Sequence, residues 1–385
     1  MRWLWLNAGV SSAVQYPRHT RAPDIGRHQR NYAADCTETT ALYGRLRGKP
    51  VDDNPMTRFS VLDLAPIVQG SNAGEALGYS LDLAQHAEAW GYNRYWVAEH
   101  HNMRGIASSA TAVVIGHLAG GTSTIRVGAG GIMLPNHAPL MIAEQFGTLA
   151  SLYPGRIDLG LGRAPGTDQV TMQALRRTLS GDVEDFPRDV MELQHYLGKP
   201  VEGQRVIATP GADTNVPLWI LGSSLFGAQL AAMIGLPFAF ASHFAPAYMD
   251  AAIKVYRDTF KPSEQLSQPH VMLGFNICAA ETDEEASFLR SSSLQSFVNL
   301  RRGTPGQLPP PVEGFEESLS AGEQQMVDDI SRCSAVGSPK SIETKLNSFL
   351  AETGADELMI VSSVFEHPKR LRSYEIAAEA FKNIK

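Results

Sequence analysis

The chain has 385 residues, 43% of them hydrophobic and 19% charged, with a formal net charge of −7. It is long enough to bury one large core, and it lacks the global positive field that draws proteins to nucleic acid, so small-molecule partners are expected. No apolar run approaches the roughly 20 residues that span a bilayer, and Cys36, Cys278 and Cys333 are too few and too scattered for a disulfide framework or a zinc knuckle, which points to a soluble, cytoplasmic protein.

Residues 1–55 stand apart from the rest of the chain. They carry eight Lys or Arg against five Asp or Glu, opposite in sign to residues 56–385. Residues 16–50 show neither helical nor strand periodicity, and Trp3-Leu4-Trp5-Leu6 is too short for the apolar core of a signal peptide. The expectation is a disordered N-terminal extension over 1–55, with Met56 the natural start of a single domain over 56–385.

From there strand and helix patterns alternate. Apolar strand-like runs lie at 59–65, 94–98, 125–132, 157–161, 218–221, 238–241, 271–278 and 357–361, with helical patterns such as 75–90, 138–152 and 228–234 between them. Strands this apolar are buried on both faces, so the sheet is predicted to be parallel and covered by helices. Eight of them favour a closed (β/α)8 TIM barrel over an open doubly wound sheet. Residues 300–335, with Gly303, Pro305, Gly306, Pro309, Pro310 and Pro311, interrupt the barrel between the seventh and eighth strands and read as a Pro-rich linker.

In such barrels the site is built from the loops at the C-terminal ends of the strands. The second strand is followed by Glu99, His100 and His101, the third by Met133 to His137, the fourth by Arg163, the fifth by Gly222-Ser223-Ser224 and the sixth by Ser242 and His243. An imidazole titrates near neutrality and can take or give a proton, although it can equally cap backbone groups. Adjacent residues on a strand point to opposite faces, so a metal at His100 and His101 is not expected. Arg163 reads as a fixed cation for a phosphate, or alternatively as half of a salt bridge. Ser223 and Ser224, between a strand and a helix, offer hydroxyls and free N–H groups to an anion, or else cap the helix. Gly160-Leu161-Gly162 imitates a dinucleotide fingerprint, but no strand leads to Glu184 or Asp185, where its acidic partner would stand. Leu64, Ile67, Met103, Met133 and Phe244 are candidate apolar walls that would serve equally as core.

Taken in order, Val97-Ala98-Glu99-His100-His101, Val127-Gly128-Ala129-Gly130-Gly131, the run from Tyr153-Pro154-Gly155-Arg156 to Arg163, Gly222-Ser223-Ser224 and Gly235-Leu236-Pro237 resemble the bacterial luciferase-like flavin monooxygenases. The resemblance covers Phe59 to the C-terminus. It is strongest to an uncharacterised bacterial branch with Asn136-His137-Ala138-Pro139, Arg163-Ala164-Pro165-Gly166 and Ala241-Ser242-His243-Phe244-Ala245-Pro246.

The resemblance implies an FMN-dependent monooxygenase that takes reduced FMN from a separate flavin reductase and oxygenates a small organic substrate, and it implies a homodimer. It implies phosphate contacts from Arg163, Ser223 and Ser224 with help from the backbone of Phe226 and Gly227, a cis peptide at Gly130-Gly131 against the flavin, and catalytic roles for His100 and His101. Two positions depart from the pattern: Gly227 stands where relatives place a hydroxyl, and Gly162 where the luciferases have a cysteine. A deazaflavin-dependent oxidoreductase and a non-catalytic flavin-binding protein are the other readings the resemblance allows, and it offers a mobile lid as the alternative to a linker at residues 300–335.

Overall fold

The computed structural model describes residues 57–164, 169–175 and 185–384. The expectations for residues 1–55, for Met56 as start and for Cys36, together with Pro165, Gly166 and Glu184, fall outside these residues.

Among the described residues nine strands form one sheet, and every pairing between them is parallel. They are β1 (Arg58–Asp63), β2 (Arg94–Val97), β3 (Arg126–Met133), β4 (Ile157–Gly162), β5 (Leu218–Gly222), β6 (Phe238–Phe240), β7 (Val271–Ala279), β8 (Ser334–Gly337) and β9 (Glu357–Val361). Because β6 pairs with β7, and β7 with β9, eight of these strands close into a barrel. The helices between them are α1 (Ala73–Trp90), α2 (Thr111–Gly120), α3 (Pro139–Leu152), α4 (Gln169–Leu175), α5 (Phe186–Leu197), α6 (Leu225–Ile234), α7 (Met249–Thr259), α8 (Asp283–Arg301), α9 (Ala321–Ser331), α10 (Pro339–Thr353) and α11 (His367–Lys382).

The period-2 alternation of each strand divides its side chains between two cores. Phe59, Val61, Tyr95 and Val97 face outward into the layer under the helices, with Val127, Leu159, Ile220 and Phe275. Leu62, Trp96, Trp219, Met272 and Met359 face inward and fill the barrel. Below them lies a charged layer: Arg94 donates to Asp158 Oδ2 at 2.7 Å and to Glu357 Oε1 at 2.8 Å, and Trp96 Nε1 donates to Asp158 at 3.2 Å. Burial alone would raise the Glu357 carboxyl, but the charges and hydrogen bonds of Arg94 and His270 outweigh it and hold the group far below its ordinary value. The barrel is thus filled at its N-terminal end by paired charges and tryptophans.

Three expectations need correction. The first strand stops at Asp63 rather than 65, because Ala65 takes a φ of +47° and donates its N–H back to Asp63 Oδ1 at 2.8 Å. The helix expected at 228–234 begins at Leu225, which brings its start next to Ser224. The strand β8 was not expected: four residues long, it pairs with Asn276–Ala279, the part of β7 beyond its main run against β9. Sequence offers too short a run there to tell it from the end of α9.

The insertion between β7 and β9 is mostly built structure. After α8 the chain crosses back to the first strand's loop, where Leu308 N–H donates to Ile67 O at 2.9 Å and Gln69 N–H to Leu308 O at 2.8 Å. It then runs into α9, whose start is closed by a reciprocal capping box between Ser320 and Glu323.

Candidate active site

At the C-terminal ends of the strands the barrel opens on a cavity of about 980 Å³. His100, His101, Gly130, Gly131, Arg163, Ser223, Ser224, Phe226 and Gly227, nine positions singled out from sequence, all line it. Among the candidate apolar walls Leu64, Met103, Met133 and Phe244 line it as well, but Ile67 does not: its side chain is buried where the strap from Leu308 pairs with its backbone.

Ser224 is the N-cap of α6, yet its side chain makes no capping hydrogen bond. The first-turn N–H groups at Phe226 and Gly227 have no acceptor within the helix, as at any helix start. Across from them the guanidinium carbon of Arg163 lies 4.2 Å from the centroid of the Phe226 ring, and the guanidinium forms no ion pair with another described residue. The salt-bridge alternative for Arg163 therefore has no partner among the described residues. A Cβ on Gly227 would lie 3.3 Å from a carbon of the Phe238 ring. Gly162 is similar, since a Cβ would lie 3.0 Å from Met133 Sδ.

The peptide between Gly130 and Gly131 is cis, at the point where the register between β3 and β4 shifts. Neither glycine has room for a side chain. A Cβ on Gly131 would lie 2.7 Å from the Gly160 carbonyl oxygen, and one on Gly130 would lie 2.8 Å from Leu62 Cδ1. The cavity wall there is bare backbone.

Both histidines reach the cavity because β2 has already ended at Val97, so the alternation of faces along a strand no longer separates them. The residue that organises this corner is one the sequence did not single out as functional. Glu99, 1% exposed, accepts through Oε1 from His101 Nε2 and from His137 Nε2, each at 2.8 Å, while Oε2 accepts from Met133 N–H at 3.1 Å. Burial alone would raise its carboxyl. The hydrogen bonds and charge of His137, then the bonds from His101 and Met133, outweigh that and hold it below its ordinary value. The three ligand-type atoms lie within 4.8 Å of one another, and a carboxylate with two imidazoles is a set that also takes divalent metals. Here the groups satisfy one another by hydrogen bonding. His137 could have been found from sequence, since it follows β3 as His101 follows β2 and both loops border the same cavity.

His243, in the loop after β6, is packed so that its Nδ1 faces Gly274, where an added Cβ would fall 2.0 Å away. That nitrogen is buried without a hydrogen-bond partner, and burial lowers the imidazole to about 4. It stays neutral at neutral pH.

A closed parallel barrel with helices outside, a charged plug at one end and all its candidate polar groups around a cavity at the other defines an enzyme of the (β/α)8 class. Comparison with known proteins narrows this. The sequence profile of the luciferase-like monooxygenases matches residues 57–357. A luciferase-like monooxygenase of Escherichia coli K12 is 55% identical over 321 residues, 83% of this chain and 96% of its own. The crystal structure of apo-MsnO8 superposes with a TM-score of 0.76 at 34% identity, covering 85% of this chain and 98% of that one. Two more distant structures share the fold: the oxygenating constituent of 3,6-diketocamphane monooxygenase from Pseudomonas putida in complex with FMN (TM-score 0.62, 15% identity, 86% and 99% covered), and an F420-dependent secondary alcohol dehydrogenase (0.58, 16%, 84% and 99%). The chain belongs to the luciferase-like monooxygenase family. Among the described residues no helix is long and apolar enough to cross a membrane.

Proposed function

We propose that this protein binds reduced FMN in the cavity and uses it with dioxygen to oxygenate a small organic substrate. The observation that carries this reading is a convergence. An arginine without an acidic partner among the described residues, a helix-start serine whose side chain caps nothing, and the open first turn of α6 meet at one corner of a cavity that also holds His100.

That corner suits a phosphate. Charge-assisted hydrogen bonds contribute roughly 1.5–3 kcal/mol each, so Arg163 with Ser223, Ser224 and the N–H groups of Phe226 and Gly227 could supply much of the roughly 8 kcal/mol of micromolar binding. The bare backbone of Gly130 and Gly131 suits the face of a planar ring, since no side chain projects there. Reduced FMN, when bound, supplies the electrons that activate dioxygen. The protein's part is to orient, to keep water out with Leu64, Met103 and Met133, and to hold a proton. His100 is the proton-holding group in this reading, and Glu99 fixes His101 beside it. The reduced flavin comes from a separate reductase, and the working form is a homodimer.

The test is to mix the protein anaerobically with reduced FMN, admit oxygen and follow uptake with and without candidate substrates. Saturable FMN binding and protein-dependent oxygenation support the proposal. Tight binding of oxidised F420 with no response to oxygen replaces it with hydride transfer. Flavin binding with neither activity leaves a binding protein.

A further inference from the structure

The phosphate corner uses only part of the cavity. Another part of its wall comes from α8, β7, β8 and α9, where Cys278, Leu294, Phe297 and Ile330 are interspersed with Asn276, Ser293 and Ser334. One cation stands among them, Arg290 of α8. Burial pushes the Cys278 thiol up to about 12 even though the charge of Arg290 pulls the other way.

Arg290 has one ion-pair partner and one hydrogen-bond acceptor among the described residues. Its side chain is 16% exposed, and it donates one hydrogen bond, from Nη2 to Ser331 Oγ at 2.9 Å. Its acidic neighbour is Glu316, 40% exposed, whose Oε1 lies 3.5 Å from Nη1, beyond a good charge-assisted bond. A guanidinium carries five N–H donors. Most of those of Arg290 have no acceptor among the described residues, and the group borders the cavity. A cation beside apolar side chains favours a ligand that offers one anionic group on an apolar body, because such a ligand pairs the charge and covers those side chains at once.

We propose that Arg290 is a specificity-determining residue, and that the substrate sharing the cavity with the flavin is an apolar molecule bearing a single carboxylate, which Arg290 binds. This rests on the flavin reading only for what happens to the ligand afterwards; the binding step stands alone. The competing role, a clip that ties α8 to α9 through Ser331, is separable, because Ser331→Ala removes the clip and leaves the cation.

Calorimetric titration of the full-length protein with 4-phenylbutyrate and with its isosteric amide tests this without flavin. The expected result is that the acid binds at least tenfold more tightly than the amide, that Arg290→Met abolishes this preference, that Arg290→Lys keeps part of it, and that Ser331→Ala and Arg163→Met keep it. A preference that survives Arg290→Met, one lost in Arg163→Met instead, one lost equally in Ser331→Ala, or no saturable binding of the acid at millimolar concentration overturns the proposal. FMN titration of the same variants reports separately on the phosphate corner, so failure of one reading does not pass for failure of the other.

Discussion

The guanidinium carbon of Arg163 lies 4.2 Å from the centroid of the Phe226 ring, which ties a cation at the end of β4 to the first turn of α6. Stacking sets the orientation of the group without neutralising it. Arg163→Met is therefore expected to weaken FMN binding by about 10- to 150-fold, the loss of ~1.5–3 kcal/mol of charge-assisted bonding. Arg163→Lys keeps the charge but loses the planar fork and most of the stacking, so it should recover only part of that loss. Fluorescence titration with FMN measures both.

Ser224 separates two roles that sequence leaves entangled. A serine that caps a helix typically contributes about 0.5–2 kcal/mol to stability, but the Ser224 side chain makes no capping bond. Ser224→Ala should change the free energy of unfolding by no more than a few tenths of a kcal/mol while raising the FMN dissociation constant about tenfold. A stability loss above ~1 kcal/mol with unchanged affinity would return Ser224 to the role of a cap.

Glu99 serves two imidazoles with one oxygen, which requires a proton on each Nε2. Glu99→Gln removes the charge and offers an amide that cannot reproduce both bonds, leaving a buried polar group unsatisfied at a cost of about 1–3 kcal/mol. Because folding lowers this carboxyl, its contribution is complete above the ordinary value of 4.5 and is lost as pH falls through the lower folded value. The variant should lose more stability at pH 7 than at strongly acid pH. With the imidazoles reoriented, turnover should fall while FMN affinity stays within a few fold. Denaturation at a series of pH values and single-turnover oxidation check the two halves.

The barrel and much of its rim were legible in the sequence because buried parallel strands are continuous apolar runs and barrel sites follow strand ends. Arg94–Val97 and Glu357–Val361 were found with little or no change in their limits for that reason. What was hidden depends on partners distant in sequence. Ser334–Gly337 is a strand only because it lies beside Asn276–Ala279, and Glu99 matters because His137 arrives from another loop 38 residues on. Ile67 had the composition of a cavity wall, but the strap carrying Leu308 pairs with its backbone where its side chain is buried, a pairing across more than 200 residues that no local pattern carries. Arg290 was invisible for the same reason: an arginine on a helix rich in polar residues acquires meaning only from the cavity it borders.

The strap over the cavity depends on close backbone approach at Gly105. A Cβ there would fall 2.0 Å from the carbonyl oxygen of Gly306, and backbone cannot yield as a side chain can. Gly105→Ala should lift residues 303–312 from the loop after β1 without unfolding the barrel, whose strands it does not touch. The expected signs are faster proteolysis within 303–312 and flavin oxidation less coupled to product. Unchanged proteolysis would show that the strap can shift at no cost.

His243 gives the fold a dependence on mild acid. Its ordinary value of 6.5 is lowered to about 4 by burial, so the folded protein prefers the neutral imidazole while the unfolded chain takes up a proton at a higher pH. Stability is therefore complete above pH 6.5 and declines as pH falls toward 4, by up to ~3 kcal/mol if the whole shift is realised. His367, also lowered chiefly by burial, contributes in the same direction, so the wild-type slope alone does not isolate His243. His243→Gln does, because it cannot protonate. Between pH 6.5 and 4.5 the variant should lose less stability than the wild type, measured as the difference in urea midpoint at the two ends. Carboxylates such as Glu357 add their own loss below 4.5, where the two proteins should again run in parallel once His243 is charged in both states. Identical slopes across 6.5 to 4.5 would mean that water in the cavity solvates this ring and that its neutrality is not imposed by the fold.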